Sequence, residues 1–267
     1  NGNQLSGCAP LSVDFFNNTK GANSFRYTFG DGSVVTSNTL LPEKQTHVFN
    51  RAGVYTVEML ATNGCSIANA KQTITVYAQP QIAFKGNITK GCTGLSVKYT
   101  NSSKDAVSYL WDFGDGKTST EFEPTHVYDS PQGNYSVKLT AFNSQGCPTS
   151  STITDYIQIV PPPKAAFAIS PASVISIPDY TFKFTNESFN RAQNYQWNFG
   201  DGQTSTLKDP SHKYADTGRF LVTLKSFNEE GCVDSVQKYV HIVGVPGYVY
   251  LPNSFIPGGS NLPLQKF

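Results

Sequence analysis

The chain has 267 residues, 15% of them charged, and a formal net charge of +1. That length suits two or three domains, and a balance so near neutral gives no electrostatic reason for nucleic acid or an anionic membrane as a partner. No apolar run approaches the roughly 20 residues of a membrane helix, so no transmembrane segment is expected.

Ser, Thr, Asn, Gly and Pro are abundant, 13% of the residues are aromatic, and the Ala, Glu, Lys and Leu excess of a coiled coil is missing. The composition is that of an all-β protein. The sequence opens at Asn1 and its only methionine is Met59. That reads as a processed chain or a segment of a longer one, the start that removal of a signal peptide would leave.

In chain order, the first distinctive stretch is "FRYTFGDGSV", which holds Asp31. It returns as "YLWDFGDGKTST" with Asp115 and as "YQWNFGDGQTST" with Asp201, at spacings of 84 and 86 residues. The chain is a tandem repeat. The second copy starts on the alternating run "LSVKYTN" (Leu95 to Asn101), followed by "YLWDF" and the turn. A polar strand, "PTHVY", the long "GNYSVKLTAFN" and a closing "STITDYIQIV" complete it. About seven short strands separated by turn residues make an antiparallel β-sandwich.

Period-two alternation predicts the core faces. Tyr109, Trp111 and Phe113 share one face, matched by Phe25, Tyr27, Phe29 and by Tyr195, Trp197, Phe199. On the long strand Tyr135, Val137, Leu139 and Ala141 align with Tyr55, Val57, Met59 and Ala61, and with Phe220, Val222 and Leu224. Tyr27, Trp111 and Trp197 are therefore read as core aromatics, with sugar stacking as the alternative for the tryptophans.

The repeated Gly-Asp-Gly reads as a tight turn: glycines supply positive φ, and the carboxylate accepts nearby backbone N–H groups. A general acid and base would need both aspartates of the second copy, yet Asp112 becomes Thr28 and Asn198 in the others. Only Asp31, Asp115 and Asp201 recur, so these are predicted structural turn residues. His47, His126 and His212 also share one repeat position and are read as hydrogen-bonding residues. Zinc or base catalysis is the alternative, and it lacks clustered ligands.

"WDFGDGKTS…PTHVY…GNYSVKLTAFN" resembles the polycystic-kidney-disease (PKD) domain, an immunoglobulin-like sandwich of extracellular proteins. The likeness covers three consecutive domains, 1–78, 79–161 and 162–244, with Tyr27 and Thr28 as the first copy's departures. It implies three tandem sandwiches. Short linkers at Val76–Gln81 and Ile159–Lys164, the second with prolines 161–163 in stiff extended conformation, lead to the expectation of an extended rod.

The cysteines follow the repeat. Cys8 and Cys92 each precede an "LSV" run, and Cys65 and Cys147 follow the long strand. The expected pairs are Cys8–Cys65 and Cys92–Cys147, with Cys232 outside the scheme because its partner position falls near Ile177. Buried thiols in a reducing compartment are the alternative. Paired cysteines point to an oxidising compartment such as the periplasm or cell exterior.

The last stretch, 245–267, begins no fourth repeat. "YVYLPNSFIPGG" resembles the opening of the C-terminal sorting domain of gliding-motility-associated proteins, which Bacteroidetes export by type IX secretion. At Gly258, Gly259 and Ser260 it departs from that pattern, and a generic Pro- and Gly-rich tail is the other reading. The resemblance implies a C-terminal β segment, type IX and outer-membrane anchoring components as partners, and a place on the bacterial cell surface. "DSV" at Asp234 to Val236 resembles that group's acceptor for O-linked sugars, which marks Ser235. Sequons stand at Asn101 and Asn134.

The function expected is that of a non-catalytic stalk that spaces and presents an adhesive domain, with a surface protein or polysaccharide as ligand. The alternative is a polymer-binding accessory module of a secreted hydrolase, which needs exposed aromatics; Phe122 and Tyr180 are the ones weakly committed to a face. No catalytic constellation stands outside the repeated positions, so no enzyme is expected. No cofactor is expected either: oxygen-rich turns can host calcium, but no dense Asp-x-Asp-x-Asp run supports it.

Overall fold

The computed structural model describes residues 4–38, 44–129, 132–171, 174–176 and 181–244. Among them every regular element is a strand. The chain divides into two compact units, Asn1–Pro161 and Pro162–Phe267, so the division falls inside the triple-proline run. The first unit holds two sandwiches and the second holds one. The expected C-terminal β segment, 245–267, lies outside the described residues, as do Ile177 and Tyr180.

The first sandwich comprises β1 (Ser6–Cys8), β2 (Leu11–Phe16), β3 (Ser24–Thr28), β4 (Val34–Ser37), β5 (Lys44–Phe49), β6 (Gly53–Thr62) and β7 (Ile67–Tyr77). One sheet runs β1-β7-β6-β3-β4, with β1 parallel to β7, and β2 pairs with β5 opposite it.

The second sandwich comprises β8 (Phe84–Gly86), β9 (Lys90–Cys92), β10 (Leu95–Asn101), β11 (Ser108–Asp112), β12 (Thr118–Ser119), β13 (Thr125–Tyr128), β14 (Gly133–Phe142) and β15 (Pro148–Val160). Its sheets are β12-β11-β14-β15-β9 and β13-β10-β8.

The third comprises β16 (Phe167–Ser170), β17 (Val174–Ser176), β18 (Thr181–Asn186), β19 (Asn194–Asn198), β20 (Thr204–Ser205), β21 (Ser211–Lys213), β22 (Gly218–Phe227) and β23 (Val233–Val243). It repeats the scheme as β17-β23-β22-β19-β20 and β16-β18-β21.

Alternation places the core. On β2, Leu11, Val13 and Phe15 are buried while Ser12 and Phe16 are exposed. On β11, Trp111 is buried while Leu110 and Asp112 are exposed. Each sandwich closes its own cluster, around Tyr27 and Phe29, around Trp111 and Phe113, and around Trp197 and Phe199. Burying each such side chain contributes about 1.5–3 kcal/mol. The tryptophans are fully buried, and each indole N–H still finds an acceptor: Trp111 donates to the Glu121 carbonyl and Trp197 to that of Leu207, both at 2.9 Å.

The disulfide scheme differs from the expectation. Cys8 bonds Cys147, with Cα atoms 5.5 Å apart and 139 residues between them in sequence. Cys65 is a free, exposed thiol. Cys92 and Cys232 are each disulfide-bonded, so neither a Cys92–Cys147 bridge nor an unpaired Cys232 holds. Strand length is the physical reason. Cys8 stands in register with Tyr77 at the end of β7, whereas Cys65 sits just before its start at Ile67. The ten residue steps from Ile67 to Tyr77, at ~3.3 Å each, set the two ends roughly 33 Å apart, and a disulfide needs Cα atoms within about 7 Å. Cys92 pairs with Val160 at one end of β15 while Cys147 precedes the other end, thirteen residues away. A cysteine at the exit end of one sandwich can reach only a neighbour, and Cys8 reaches the β14–β15 turn of the second.

Candidate functional site

Two constructions stand out: a polar cluster repeated in each sandwich, and the joint between the first two. The cluster forms where the Gly-Asp-Gly turn comes under the "THVY" strand. Asp31, Asp115 and Asp201 each accept, through Oδ1, the backbone N–H two residues on, from Ser33, Lys117 and Gln203 at 2.9–3.0 Å. The other oxygen, Oδ2, meets a histidine Nε2: His47 at 2.7 Å, His126 at 2.8 Å and His212 at 2.7 Å. Each imidazole lies flat on the phenylalanine that precedes the turn, with centroids 3.9–4.0 Å apart on Phe29, Phe113 and Phe199. It meets Phe49, Tyr128 or Tyr214 edge-on. Turn, histidine strand and aromatic core are thereby fastened at one point.

The electrostatics follow. Burial pushes the Asp31 carboxyl up, but hydrogen bonds from the Ser33 hydroxyl, His47 and the Ser33 N–H outweigh it and hold the group at about 2. Asp201 is lowered against its burial by His212 and the Gln203 N–H. Tyr128 is pushed up to about 12, first by burial. Its hydroxyl lies 2.7 Å from that of Tyr99 and donates to the Phe113 carbonyl.

In the first sandwich Ser33 adds a hydroxyl to the pair, and Ser, His and Asp then stand together. Ser33 Oγ lies 3.3 Å from His47 Nε2 and also contacts Asp31. A triad needs nucleophile and carboxylate on different ring nitrogens. Here both meet Nε2, and Lys117 and Gln203 replace the serine in the other copies. The variable position beside the turn has a similarly structural use: Asp112 and Asn198 accept the N–H of Gly114 and Gly200 at 3.0 and 2.9 Å. Aspartate and asparagine serve alike as acceptors there, while in the first copy Thr28 donates its hydroxyl to the Glu58 carbonyl at 3.4 Å. Among the described residues no group of three or more His, Cys, Asp or Glu could hold a metal.

At the joint, Ala9 N–H donates to the Tyr77 carbonyl at 3.0 Å, and the Asn143 amide donates to Ala78 at 2.7 Å. With Cys8–Cys147 these bonds tie the first sandwich and its outgoing linker to the β14–β15 turn. The repeat spacing marked Cys8 and Cys147 as bonded but gave each a partner within its own unit, Cys65 and Cys92, so the joint was missed.

The other marked residues are placed as follows. Ser235 is exposed on β23, and the neighbouring Asp234 accepts the Ala165 N–H at 2.9 Å. Asn101 is buried and donates to the Phe122 carbonyl, so its sequon is shielded in the fold; Asn134 is exposed. Phe122 is 52% exposed and meets Tyr109 edge-on.

Fold and site together define a tandem of immunoglobulin-like β-sandwiches whose repeated polar residues build turns and joints. The PKD domain family matches residues 6–78, 77–159 and 160–243, and the chain belongs to it. It is 39% identical over 89 residues to a microbial collagenase of Vibrio alginolyticus, covering 32% of this chain and 11% of that protein. It is 32% identical over 149 residues to the pre-pro-metalloprotease PrtV of Vibrio cholerae serotype O1, covering 54% of this chain and 16% of that protein. The chain thus spans only a small part of these relatives. Among solved structures, the PKD1 domain of Vibrio cholerae PrtV is 40% identical, with a TM-score of 0.26, covering 30% of this chain and 96% of that one.

Proposed function

We propose that this chain is a non-catalytic stalk of a bacterial cell-surface protein, spacing and presenting an interaction domain. The observation that carries this reading is the Cys8–Cys147 bond. Tension entering ahead of Cys8 can pass through that bond to β15, which takes β2–β14, all of the first sandwich after β1 and most of the second, out of the load path. A joint bonded in this way suits a part that must hold a position under load. The resemblance of the stretch after Gly244 to a sorting domain extends the reading: the chain is a type IX secretion substrate of the Bacteroidetes kind, carried to the outer surface and anchored there by that machinery. Ser235, exposed beside Asp234, is then a place for an O-linked sugar. Single-molecule pulling on the full chain tests the mechanical claim. A Cys8→Ser/Cys147→Ser chain should show one more unfolding event than the wild type, and equal numbers would refute it.

A second reading, an accessory module that holds a hydrolase to a polymer, is favoured by the exposed Phe122 and by relatives named as a collagenase and a metalloprotease. Co-sedimentation with insoluble collagen and chitin separates the two. Retention that is lost in Phe122→Ala would favour the module over the stalk.

A further inference from the structure

We propose that the outer face of the third domain's five-stranded sheet binds a polysaccharide that carries carboxylates. Alternation sorts the strands of that sheet. On β22, Phe220, Val222 and Leu224 turn to the core, which leaves Arg219, Thr223 and Lys225 outside. Tyr239 and Gln237 stand on the same outer face of β23, opposite Leu221 and Thr223. Gln196 and Asn198 face out on β19, opposite Lys225 and Thr223, because Trp197 between them is buried.

The sister domains show what sets this face apart. Its middle rung, through Asn198, Thr223 and Gln237, is uncharged, and the Gln237 amide donates to the Thr223 hydroxyl at 3.2 Å. The corresponding rung of the second domain carries Asp112 opposite Lys138. That of the first carries Glu58, paired with Lys71 at 3.4 Å. In the third domain the charges flank the rung and both are positive: Arg219 and Lys225 stand where the first domain has Val54 and Leu60 and the second has Asn134 and Thr140. Both are exposed, and among the described residues neither is in an ion pair. Arg219 is nevertheless held in place, its guanidinium carbon 3.6 Å from the centroid of the Tyr239 ring. An arginine ordered in this way presents its N–H fork to a carboxylate with less freedom left to lose.

Arg219 and Lys225 are six residues apart on one strand, about 20 Å at ~3.3 Å per residue. A small anion cannot reach both, whereas an extended polymer with repeated carboxylates can. Between them Gln196, Asn198 and Thr223 border a hollow of about 320 Å³ with Lys225 at its side. Amides and a hydroxyl there match the hydroxyls of sugar rings, which an acidic peptide lacks. Lys71, on the same face of the first domain, is exposed although another domain follows it, so a following domain leaves this face open. The site needs neither a load-bearing stalk nor Phe122.

Frontal affinity chromatography of the full chain on alginate, dextran and polyglutamate columns, at physiological ionic strength, tests this. A sugar on Ser235, which pairs with Lys225, would shield that end, so the chain is made without it. Alginate should retain the chain and the other two should not. Arg219→Ala and Lys225→Ala should each weaken binding about tenfold, the loss of one hydrogen-bonded charge contact. Lys20→Ala/Lys98→Ala, which removes two charges from exposed sites in the other domains, should leave it unchanged. Lys225→Ala does not touch the Arg219–Tyr239 contact, so it reads the site even where Arg219→Ala fails to fold. No retention on alginate, equal retention on dextran or polyglutamate, or an equal loss in the Lys20 and Lys98 variant overturns the proposal.

Discussion

His126 rests flat on Phe113, centroids 4.0 Å apart, while its Nε2 lies 2.8 Å from Asp115 Oδ2. The Asp115 side chain is fully covered, so its two oxygens depend on His126 and the Lys117 N–H. Replacing Asp115 with alanine leaves a histidine nitrogen and an N–H without their acceptor. The expected cost is about 1–3 kcal/mol, the range for unsatisfied buried polar groups. Asp115→Asn keeps an oxygen for the Lys117 N–H and should cost less. Urea titration of the two variants, followed by tryptophan fluorescence, checks the order.

Acid should weaken the first domain through Asp31. Its carboxyl is held at about 2 in the fold against an ordinary value of 3.8. Between those values the unfolded chain binds a proton that the folded chain does not, so folding loses stability as pH falls. The contribution is fully present above about pH 4–5 and gone below about pH 2. Wild type and Asp31→Asn, melted from pH 2 to pH 6, should differ by a constant amount at the upper end and converge at the lower. A gap that stays level to pH 2 would show that the carboxylate's charge is not what holds the turn.

The cysteines give a direct chemical check. Iodoacetamide applied to the native chain before reduction should label Cys65 alone, and a non-reducing digest should contain a Cys8–Cys147 peptide. Removing that bridge with Cys147→Ser should destabilise the first sandwich by up to about 4 kcal/mol, because Cys8 lies beside Tyr77 in the fold and the bond closes the unfolded residues between them into a loop on the second sandwich. A melting temperature of the first sandwich unchanged by the substitution would show that the bond does not restrain its unfolded chain.

Much of the architecture is legible in the sequence because sandwich strands alternate. Phe25, Tyr27 and Phe29 could be placed inside, and Leu110 and Asp112 outside, from period two alone. The turn aspartates were visible as repeats, and so were the histidines. Their contact was harder to see: histidine follows aspartate by 11 residues in the second and third copies but by 16 in the first. Pairing across two sheets is a property of the fold, and no local spacing encodes it. The cysteine pairing failed for a different reason. Repeat position identifies equivalent residues, but only strand length shows that Cys8 and Cys65 stand at opposite ends of β7. The eleven residues of β7, Ile67 to Tyr77, carried that information.

The two glycines of the turn should not be equally replaceable. Gly200 and Gly202 both adopt positive φ, 86° and 92°, which costs an alanine about 1–2 kcal/mol at either place. Their surroundings differ. A Cβ on Gly202 meets nothing within 4 Å, whereas one on Gly200 would come 2.7 Å from the Leu221 carbonyl oxygen and 2.8 Å from its nitrogen. Those atoms belong to β22, which pairs with β23 over its whole length, so the backbone cannot retreat without opening the sheet. Overpacking of that kind adds about 1–3 kcal/mol. Gly200→Ala should therefore destabilise the third sandwich by roughly 2–5 kcal/mol and Gly202→Ala by about 1–2 kcal/mol. Each first glycine approaches the long strand of its own domain in this way, Gly30 at Thr56 and Gly114 at Ser136. The same order should hold in all three domains when unfolding is followed by hydrogen exchange, domain by domain. Equal losses at the two positions would show that the turn is fixed by φ alone and that the long strand gives way.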